Sequence, residues 1–400
     1  MNVLITYGWC RTAYAVAESL YKAGYNVFVT DSNRLSMTRY SRYVSGFDLS
    51  PDPFLFPEDY VRRLSEIIQK RKIHALIPVH EDSIAIRKFQ MLLPPGLMIA
   101  CPGYEDLLIA IDKLKIVSIA KECAVETPNT VEISSFDDLD KASKELGFPL
   151  VIKTRHGNSG KGVFIVNEKD ELKIKYEHIV KRFSLENYMP FLQQYVNGNV
   201  YGCCFLSHNG DILFSFSERY IRCKDGGFGT SVYREQSNLP LLENHTRKIV
   251  KYLNWTGIGH FDYIVSRDKQ HAYLIEMNPR FWGAINLSTK NGYDFPNGLL
   301  NLFIYKNAKQ AKKYCKPSTK PKPSMWIVGE IISAISDFRN GNRFAFLELI
   351  QHFSSALNCA TFDDFRVSDP LPLIIELVYY AKQFLKDHGN INPIKDEMLR

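Results

Sequence analysis

The sequence predicts an α/β domain with a parallel sheet, followed by an α+β region and a mostly helical C-terminal part. Apolar strands alternate with amphipathic helices over the first hundred residues, short strands dominate from Phe191 onward, and helical spacing returns after Met325. Alternating strands and helices are typical of parallel sheets with right-handed crossovers, whereas strands set apart from helices are typical of α+β units.

Length and composition exclude several classes of protein. The chain has 400 residues, of which 45% are hydrophobic and 23% charged, so we expect about two to three globular domains. The longest apolar runs are shorter than the roughly 18 residues of a membrane span, which is therefore not expected. Residues 1–10 lack the features of a signal peptide. The net charge of +7 is mild and scattered, so no nucleic-acid partner is expected.

Cysteine usage indicates the redox compartment. The eight cysteines contain no C-x-x-C pair, so neither a zinc ribbon nor a thioredoxin-type motif is predicted. We expect reduced cysteines and a cytoplasmic location.

The first hundred residues predict two helices and four strands. The helix at 12–23 ends before Gly24, a residue favoured just after a helix, and the helix at 60–72 is amphipathic. Strands are predicted at residues 2–7, 25–30, 75–79 and 97–100.

The middle of the chain predicts a small α+β unit and then a strand-rich unit. Helices are predicted at 112–123, 136–146 and 244–253. Strands are predicted at 130–133, 149–154, 163–166, 191–196, 200–207, 212–218, 261–265 and 272–278. A linker rich in Lys and Pro, at 306–322, precedes the C-terminal region.

The segment 260–283 carries the strongest chemical signal. Strand periodicity places Glu276 and Asn278 on one face, and the preceding strand of the hairpin brings Asp262 beside them. Two carboxylates and an amide oxygen form the all-oxygen site that Mg²⁺ prefers. Arg280 follows on the same side, where its guanidinium can hold a phosphoryl or carboxylate oxygen. The alternative is a set of charged edge residues on a solvated strand.

Two further segments carry weaker signals. Lys153 ends an apolar strand, and the glycine-rich turn at 156–162 that follows can close its backbone on phosphate oxygens, with Ser159 and Lys161 as further donors. The pattern is not a Walker A loop, and a plain β-turn is the alternative. At 193–198, backbone groups at the end of a strand can contact the edge of a base.

In this order, the three segments resemble the ATP-grasp superfamily over about residues 1–305. LIEMNPRFWG at 274–283 resembles the E-x-N-x-R strand of carboxylate–amine ligases, carbamoyl-phosphate synthases and biotin carboxylases. The resemblance implies a Rossmann-like pre-ATP-grasp domain, a two-lobed ATP-grasp fold and a helical extension. The implied bounds are 1–110 for the first domain, 111–190 for the small lobe with its lid, 191–310 for the large lobe with the metal site, and 325–400 for the extension.

The resemblance also implies roles for individual residues. Asp262, Glu276 and Asn278 match the Mg²⁺ ligands. Arg280 matches the arginine that steadies the acyl-phosphate, and Arg222 resembles a basic residue near the γ-phosphate and substrate. The positions that match nucleotide-binding residues are Lys113, Lys153, Ser159, Gly160, Lys161, Gly162, Gln193, Gln194 and Val196.

The implied activity is an ATP-dependent ligation. A substrate carboxylate takes the γ-phosphate, an amine attacks the acyl-phosphate, and ADP and phosphate are released, with two Mg²⁺ ions for which Mn²⁺ can substitute. The expected partners are a small carboxylate and an amine. The alternatives are a thiol, ammonia or bicarbonate chemistry on the same machinery, or a non-catalytic ATP-binding protein. The residues 325–400 are expected either to cap the ligase lobes or to mediate a homodimer.

Three positions depart from the pattern or stay open. Relatives often carry an acidic residue where Val200 stands, so Gln193 is left to hold the ribose. The turn at 7–14 lacks G-x-G-x-x-G, which argues against a nicotinamide oxidoreductase. Glu81 follows the predicted strand 75–79, where it either contacts substrate or is a carboxylate at a helix start.

Overall fold

A computed structural model of the chain describes residues 1–157, 162–224, 229–357 and 360–386. The strands are β1 (Asn2–Ile5), β2 (Asn26–Asp31), β3 (Gly46–Leu49), β4 (Ala75–Ile77), β5 (Met98–Ile99), β6 (Thr130–Val131), β7 (Leu150–Lys153), β8 (Val163–Val166), β9 (Phe191–Gln194), β10 (Asn199–His208), β11 (Asp211–Cys223), β12 (Ser231–Ser237), β13 (Gly257–Val265), β14 (Ala272–Asn278), β15 (Ser324–Met325) and β16 (Thr361–Phe362). The helices are α1 (Arg11–Lys22), α2 (Pro57–Arg71), α3 (Asp82–Lys88), α4 (Tyr104–Ile111), α5 (Lys113–Glu122), α6 (Asp138–Leu146), α7 (Lys169–Phe183), α8 (Pro240–Tyr252), α9 (Ile285–Lys290), α10 (Phe295–Tyr305), α11 (Ala308–Lys312), α12 (Ile327–Arg339), α13 (Ala345–Ala356) and α14 (Leu371–Lys386).

The N-terminal sheet is parallel, as the alternation of strands and helices predicts. Its order is β3-β2-β1-β4-β5, and each neighbouring pair runs in the same direction. The edge strand β3 was not predicted, because its four residues, GFDL, mix glycine and an acid and give no apolar run. Asp48 on β3 instead accepts hydrogen bonds from Lys70 and Arg71 at the end of α2.

The small lobe is built on an antiparallel sheet of order β6-β9-β7-β8. Its core joins residues of these strands to α6 and α7, including Leu150, Tyr176 and Leu192. Helix α7 was not predicted, because its many charged residues obscure the apolar positions Leu172, Tyr176 and Val180 that it buries.

The large sheet lies between two hydrophobic cores. Its order is β14-β13-β10-β11-β12-β15-β16. Successive residues of β10 face opposite ways, so Cys204 joins the core shared with the N-terminal domain and α10, whereas Cys203 joins the core under α5 and α8. By the same alternation, Glu218, His260 and Asp262 lie on the face of the sheet that carries Cys204.

The C-terminal region contributes to this sheet as well as adding helices. Strands β15 and β16 pair in parallel, and β15 continues the sheet beyond β12. The segment after β16 then crosses to the N-terminal domain. There the Asp369 carboxylate accepts hydrogen bonds from the Tyr14 hydroxyl at 3.2 Å and the Ser41 hydroxyl at 2.6 Å.

Among the helices of the described residues, none combines the length and apolar character that a membrane crossing needs.

Glu18 on α1 joins three parts of the chain. Its carboxylate accepts from Lys22 on the same helix and from Lys290 at the end of α9, both at 2.7 Å, and from Arg366 after β16 at 2.9 Å. Burial alone would raise the pKa of Glu18, but Arg366 and Lys290 outweigh it and lower the pKa from 4.5 to about 2. The ionised carboxylate therefore stabilises the folded state.

We expect Glu18→Gln to lower the free energy of unfolding by about 3 kcal/mol at pH 7, since each pKa unit is worth about 1.4 kcal/mol. The folded pKa lies below the unfolded one, so this contribution is complete above pH 4.5 and is lost as the pH falls toward 2. The difference from wild type should shrink to about 1.4 kcal/mol at pH 3. Urea unfolding at both pH values measures it.

The control is Glu171→Gln, which breaks an exposed pair with Lys175 on α7 and should cost less than about 0.5 kcal/mol. Equal stability of the two variants at pH 7 would contradict the role given to Glu18.

Candidate functional site

Three oxygen-bearing side chains converge on the hairpin of β13 and β14. Asp262 lies directly opposite Glu276 in the register, and a bulge follows, since Tyr263 pairs with Leu274 and leaves Ile275 without a partner in the ladder. The Asn278 Nδ2 donates to Asp262 Oδ2 at 3.0 Å and to Glu276 Oε1 at 3.4 Å. The hairpin thus brings together the three predicted metal ligands.

Electrostatic repulsion makes this cluster suited to a cation. Burial raises the pKa of Asp262 well above its ordinary value, and the charge of Glu276 raises it further. A divalent cation removes both penalties, and two carboxylates with an amide are hard oxygen donors of the kind that Mg²⁺ binds. Coordination by the Asn278 oxygen requires its amide to turn, because Nδ2 faces the two carboxylates while Oδ1 accepts from Arg280 at 3.0 Å.

Two lysines face the same carboxylates. Lys113 is the first residue of α5, which starts there because the Asp112 side chain caps the helix through the Leu114 and Lys115 N–H groups. The Lys113 Nζ lies 3.5 Å from Glu276 Oε2 and donates to the Gly157 carbonyl.

Lys153, at the end of β7, is only 5% exposed. Burial lowers the pKa of Lys153 to about 7, although Glu276 raises it and Lys113 lowers it in turn. A buried amine that is half neutral at pH 7 regains its charge when an anion approaches. Both lysines are therefore suited to phosphate oxygens.

The structure describes both ends of the glycine-rich turn. The Thr154 N–H donates to the Gly162 carbonyl at 2.9 Å and closes the turn. Gly157 and Gly162 have φ values of 107° and 82°, in the region that favours glycine. The predicted nucleotide contacts Ser159, Gly160 and Lys161 lie outside the described residues.

The residues at 193–196, which are predicted to contact the nucleotide and are called the hinge below, lie at the end of β9 in the small sheet. Gln193 is buried, and its Nε2 donates to the Thr130 hydroxyl at 2.9 Å. The Gln194 N–H donates to the Asn129 carbonyl at 2.8 Å, and its side chain is exposed. Val196 follows half-buried. The nucleotide contacts proposed for these residues stay predictions.

Arg280 connects the metal-ligand strand to the N-terminal domain. Its Nε donates to Glu81 Oε1 at 2.8 Å, and one terminal nitrogen donates to Asn278 Oδ1. Burial would raise the pKa of Glu81, but Arg280 and His80 outweigh it, so the pKa lies well below its ordinary value. Glu81 immediately precedes α3, yet its carboxylate does not cap that helix. Glu81 thus stands at the start of α3, as one of the two sequence alternatives has it, and also pairs with Arg280. Its contact with substrate stays a prediction.

Arg222 is bound elsewhere. Its Nε donates to Glu330 Oε1 on α12 at 3.0 Å, and its guanidinium lies 4.4 Å over the Tyr233 ring. Among the contacts of the described residues, it pairs with the C-terminal region rather than with the carboxylates of the hairpin. Its predicted role near the γ-phosphate stays a prediction.

A polar layer that the sequence patterns did not predict reaches across β10. Gly202 on β10 pairs with Glu218 of β11 on one side and with Asp262 on the other. A Cβ at Gly202 would lie 2.4 Å from His260 Nε2. Across the space that Gly202 leaves without a side chain, the Tyr220 hydroxyl donates to Asp262 Oδ1 at 3.0 Å and contacts His260 Nε2 at 3.3 Å.

The missed residues carried a signal in their spacing. Glu218 and Tyr220 are two apart on β11, and His260 and Asp262 are two apart on β13, so each pair shares a face. Burial lowers the pKa of His260 to about 3, so this ring is neutral at pH 7. Its Nδ1 lies 3.6 Å from Asp262 Oδ2, and the neutral ring adds no charge to the cluster.

Comparisons with known proteins show to which families this chain is similar. Residues 110–284 match the family model of the ATP-grasp domain. The carbamoyl phosphate synthase large chain of Clostridium acetobutylicum is 22% identical over 279 residues, which are 68% of this chain and 25% of that protein. The chain thus spans about a quarter of the length of that relative. A formate-dependent phosphoribosylglycinamide formyltransferase of Prochlorococcus marinus is 25% identical over 268 residues, 64% of this chain and 68% of that protein.

Solved structures show the same fold. N5-carboxyaminoimidazole synthetase from Staphylococcus aureus, complexed with ADP, has a TM-score of 0.64 at 18% identity and covers 85% of each chain. L-amino acid ligase from Bacillus licheniformis has a TM-score of 0.59 at 18% identity, covering 79% of this chain and 77% of that one. The predicted fold class and the resemblance to ATP-grasp proteins are confirmed.

We expect Glu276→Gln to weaken binding of Mn²⁺ in the presence of ADP by at least about tenfold, because the site loses one of its charged oxygen ligands. The electron paramagnetic resonance signal of free Mn²⁺ measures the affinity. Asp268→Asn removes one exposed carboxylate from the turn of the same hairpin and should bind Mn²⁺ as wild type does. A Glu276→Gln variant with native melting and unchanged Mn²⁺ affinity would remove Glu276 from the metal site.

Proposed function

We propose that this chain, which has the ATP-grasp fold, is an ATP- and Mg²⁺-dependent ligase that couples a carboxylate to an amine. A substrate carboxylate takes the γ-phosphate of ATP, and an amine then displaces phosphate from the acyl-phosphate. The observation that carries the proposal is the juxtaposition of Asp262, Glu276 and Asn278 with Lys113 in one partly buried cluster. Carboxylates that bind a metal, together with a lysine that binds phosphate oxygens, can hold the metal complex of a nucleoside triphosphate.

The carboxylates and Asn278 would hold Mg²⁺, two ions in this proposal, with Mn²⁺ as a substitute. The bound metal would draw charge from the phosphate oxygens. Lys113 and Lys153 would neutralise the remaining charge, and Lys153 would take up a proton as the phosphates arrive, since its pKa is about 7 without them. These groups stabilise the charge that develops during phosphoryl transfer.

Arg280 would hold the oxygen of the acyl group. Its ion pair with Glu81 fixes the guanidinium from the side of the N-terminal domain, and Glu81 itself contacts His80. The substrate carboxylate would therefore lie beyond β4, at the carboxyl end of the parallel strands, where α/β sheets bind ligands. Arg280 would then face both the carboxylate and the transferred phosphate.

The nucleotide would lie between the two lobes. We propose that Gly162 and the neighbouring Ser159, Gly160 and Lys161 cover its phosphates. The hinge would contact the adenine and ribose through Gln193, Gln194 and Val196. Closure of such a segment excludes water, which would otherwise hydrolyse the acyl-phosphate.

Arg222 would act from the opposite side, toward the γ-phosphate and the substrate, once its pair with Glu330 opens. The cytoplasmic location, the domain bounds and a homodimer through the C-terminal region are proposals of the same kind.

A second candidate function is supported by one comparison. The biotin carboxylase domain of the Hydrogenobacter thermophilus 2-oxoglutarate carboxylase, solved with MgADP and bicarbonate, has a TM-score of 0.66 at 15% identity and covers 80% of this chain. An enzyme that phosphorylates bicarbonate instead of an organic acid would use the same metal and lysine groups. Release of ADP that requires bicarbonate, and no organic acid, would favour this function.

We expect hydroxylamine to replace the amine and yield a hydroxamate together with ADP and phosphate when the acid substrate is present. The acid is first found by screening pooled amino acids and carboxylic acids for ADP release. Because the γ-phosphate is transferred, no AMP should form. Arg280→Ala should bind ATP but lose about 10²–10³-fold in hydroxamate formation, the usual cost of a charge-stabilising group.

Arg267→Ala, in the exposed turn of the same hairpin, serves as the control and should keep the wild-type rate. AMP and pyrophosphate as products, with a confirmed acid substrate, would mean adenylate chemistry and would overturn the mechanism.

A further inference from the structure

Three side chains with metal-binding atoms meet on one face of the large sheet, each from a different strand. They are Cys204 on β10, Glu218 on β11 and His260 on β13, and their ligand atoms all lie within 4.8 Å of one another. Cys204 and His260 are directly opposite in the register, whereas Glu218 pairs with Gly202, two residues before Cys204. None of the three is a ligand in the candidate magnesium site.

These three side chains are removed from water. Cys204 and Glu218 are fully buried, and His260 is 2% exposed. Among the described residues, both Glu218 oxygens lack a hydrogen-bond donor. A buried carboxylate without a donor is destabilising, and a bound ion is one of the partners that satisfy such a group.

Gly202 leaves space beside these ligand atoms. A Cβ at this position would lie 2.4 Å from His260 Nε2 and 3.1 Å from Glu218 Oε1, so both atoms face the space above the glycine. The two atoms are themselves 3.8 Å apart. Ligand atoms around a tetrahedral zinc ion are separated by about 3.3–3.6 Å, as its bond lengths to nitrogen, oxygen and sulfur require. Side-chain rotation can shorten the separations in this cluster to these values.

The second ring nitrogen of His260 faces a carboxylate. His260 Nδ1 lies 3.6 Å from Asp262 Oδ2. Histidines that bind a metal through one ring nitrogen commonly direct the other toward a carboxylate, which fixes the tautomer and orients the ring. Asp262 can therefore orient His260 for an ion at Nε2. The Tyr220 hydroxyl, now 3.3 Å from Nε2, keeps its bond to Asp262 Oδ1 when an ion replaces that contact.

We propose that Cys204, Glu218 and His260 bind a divalent transition-metal ion, with Zn²⁺ as the expected ion. A thiolate and an imidazole are softer ligands than carboxylates and amides, and they favour Zn²⁺ over Mg²⁺. Cys204 binds as the thiolate, so its proton is released to solvent when the ion enters. Three protein ligands leave the fourth tetrahedral position to water. The ion would join β10, β11 and β13, and it would thus stabilise the strand that carries Asp262 whether or not the chain is a ligase.

Co²⁺ is the probe for this site, because it replaces Zn²⁺ in tetrahedral sites and gives a strong near-ultraviolet charge-transfer band when a thiolate is bound. The full chain is freed of metal with a chelator and titrated with Co²⁺ in excess Mg²⁺, without nucleotide. The candidate magnesium site contains no thiolate and cannot give this band. We expect one equivalent of Co²⁺ to produce the band. An equimolar amount of Zn²⁺ should remove most of it, because Zn²⁺ binds such ligands more tightly than Co²⁺ does.

Cys204→Ala should abolish the band. The matched control is Cys203→Ala, which removes the neighbouring buried thiol on the opposite face of β10 and should bind Co²⁺ as wild type does. Because Zn²⁺ binds the folded chain, it should raise the melting temperature of wild type and of Cys203→Ala but not of Cys204→Ala. Glu218→Gln nearly keeps the size of its side chain and should weaken Co²⁺ binding at least about tenfold. It provides a second test if Cys204→Ala melts early.

Absence of the band at one equivalent of Co²⁺, its suppression by Mg²⁺, or its persistence in Cys204→Ala would overturn the proposal. Loss of the band in a Cys203→Ala variant with native melting would do the same, since the thiolate would then not be that of Cys204 alone. The hydroxamate assay tests the ligase function separately, and neither result decides the other.

Discussion

The pairing of β13 with β14 is the constraint on which the site depends, because its register sets Asp262 opposite Glu276. Two carboxylates this close in a partly buried place repel each other. The surrounding groups compensate: the Asn278 amide and the Tyr220 hydroxyl donate to them, and Lys113 lies at the edge. The polar groups around the hairpin thus stabilise two negative charges that the strand register places side by side.

The features that sequence predicted are those that short-range periodicity determines. The alternation of β14 alone places Glu276 and Asn278 together, and the short turn of the hairpin leaves Asp262 little choice of partner. The same holds for α1, whose end before Gly24 follows from local residue preferences. Lys153 was found because it ends an apolar strand, although its low pKa depends on burial that only the folded chain supplies.

The features that sequence missed depend on residues far apart in the chain. Tyr220 reaches Asp262 only because β10 lies between their strands and has a glycine at that level. No local pattern reports the identity of a residue on an intervening strand. In the same way, the pair of Arg222 with Glu330 joins residues 108 positions apart. The resemblance implied a role for that arginine near the γ-phosphate, but no local pattern shows the carboxylate with which it pairs.

The return of the C-terminal segment to the first domain has a consequence for biosynthesis. Tyr14 and Asp369 are 355 residues apart, and Arg234 pairs with the buried Asp363, which directly follows β16. A nascent chain still on the ribosome therefore lacks these two contacts even when the hairpin with Glu276 has emerged. Contacts of such long range also slow folding. The N-terminal domain and the large sheet thus reach their final packing late, and partial translation products lack that packing.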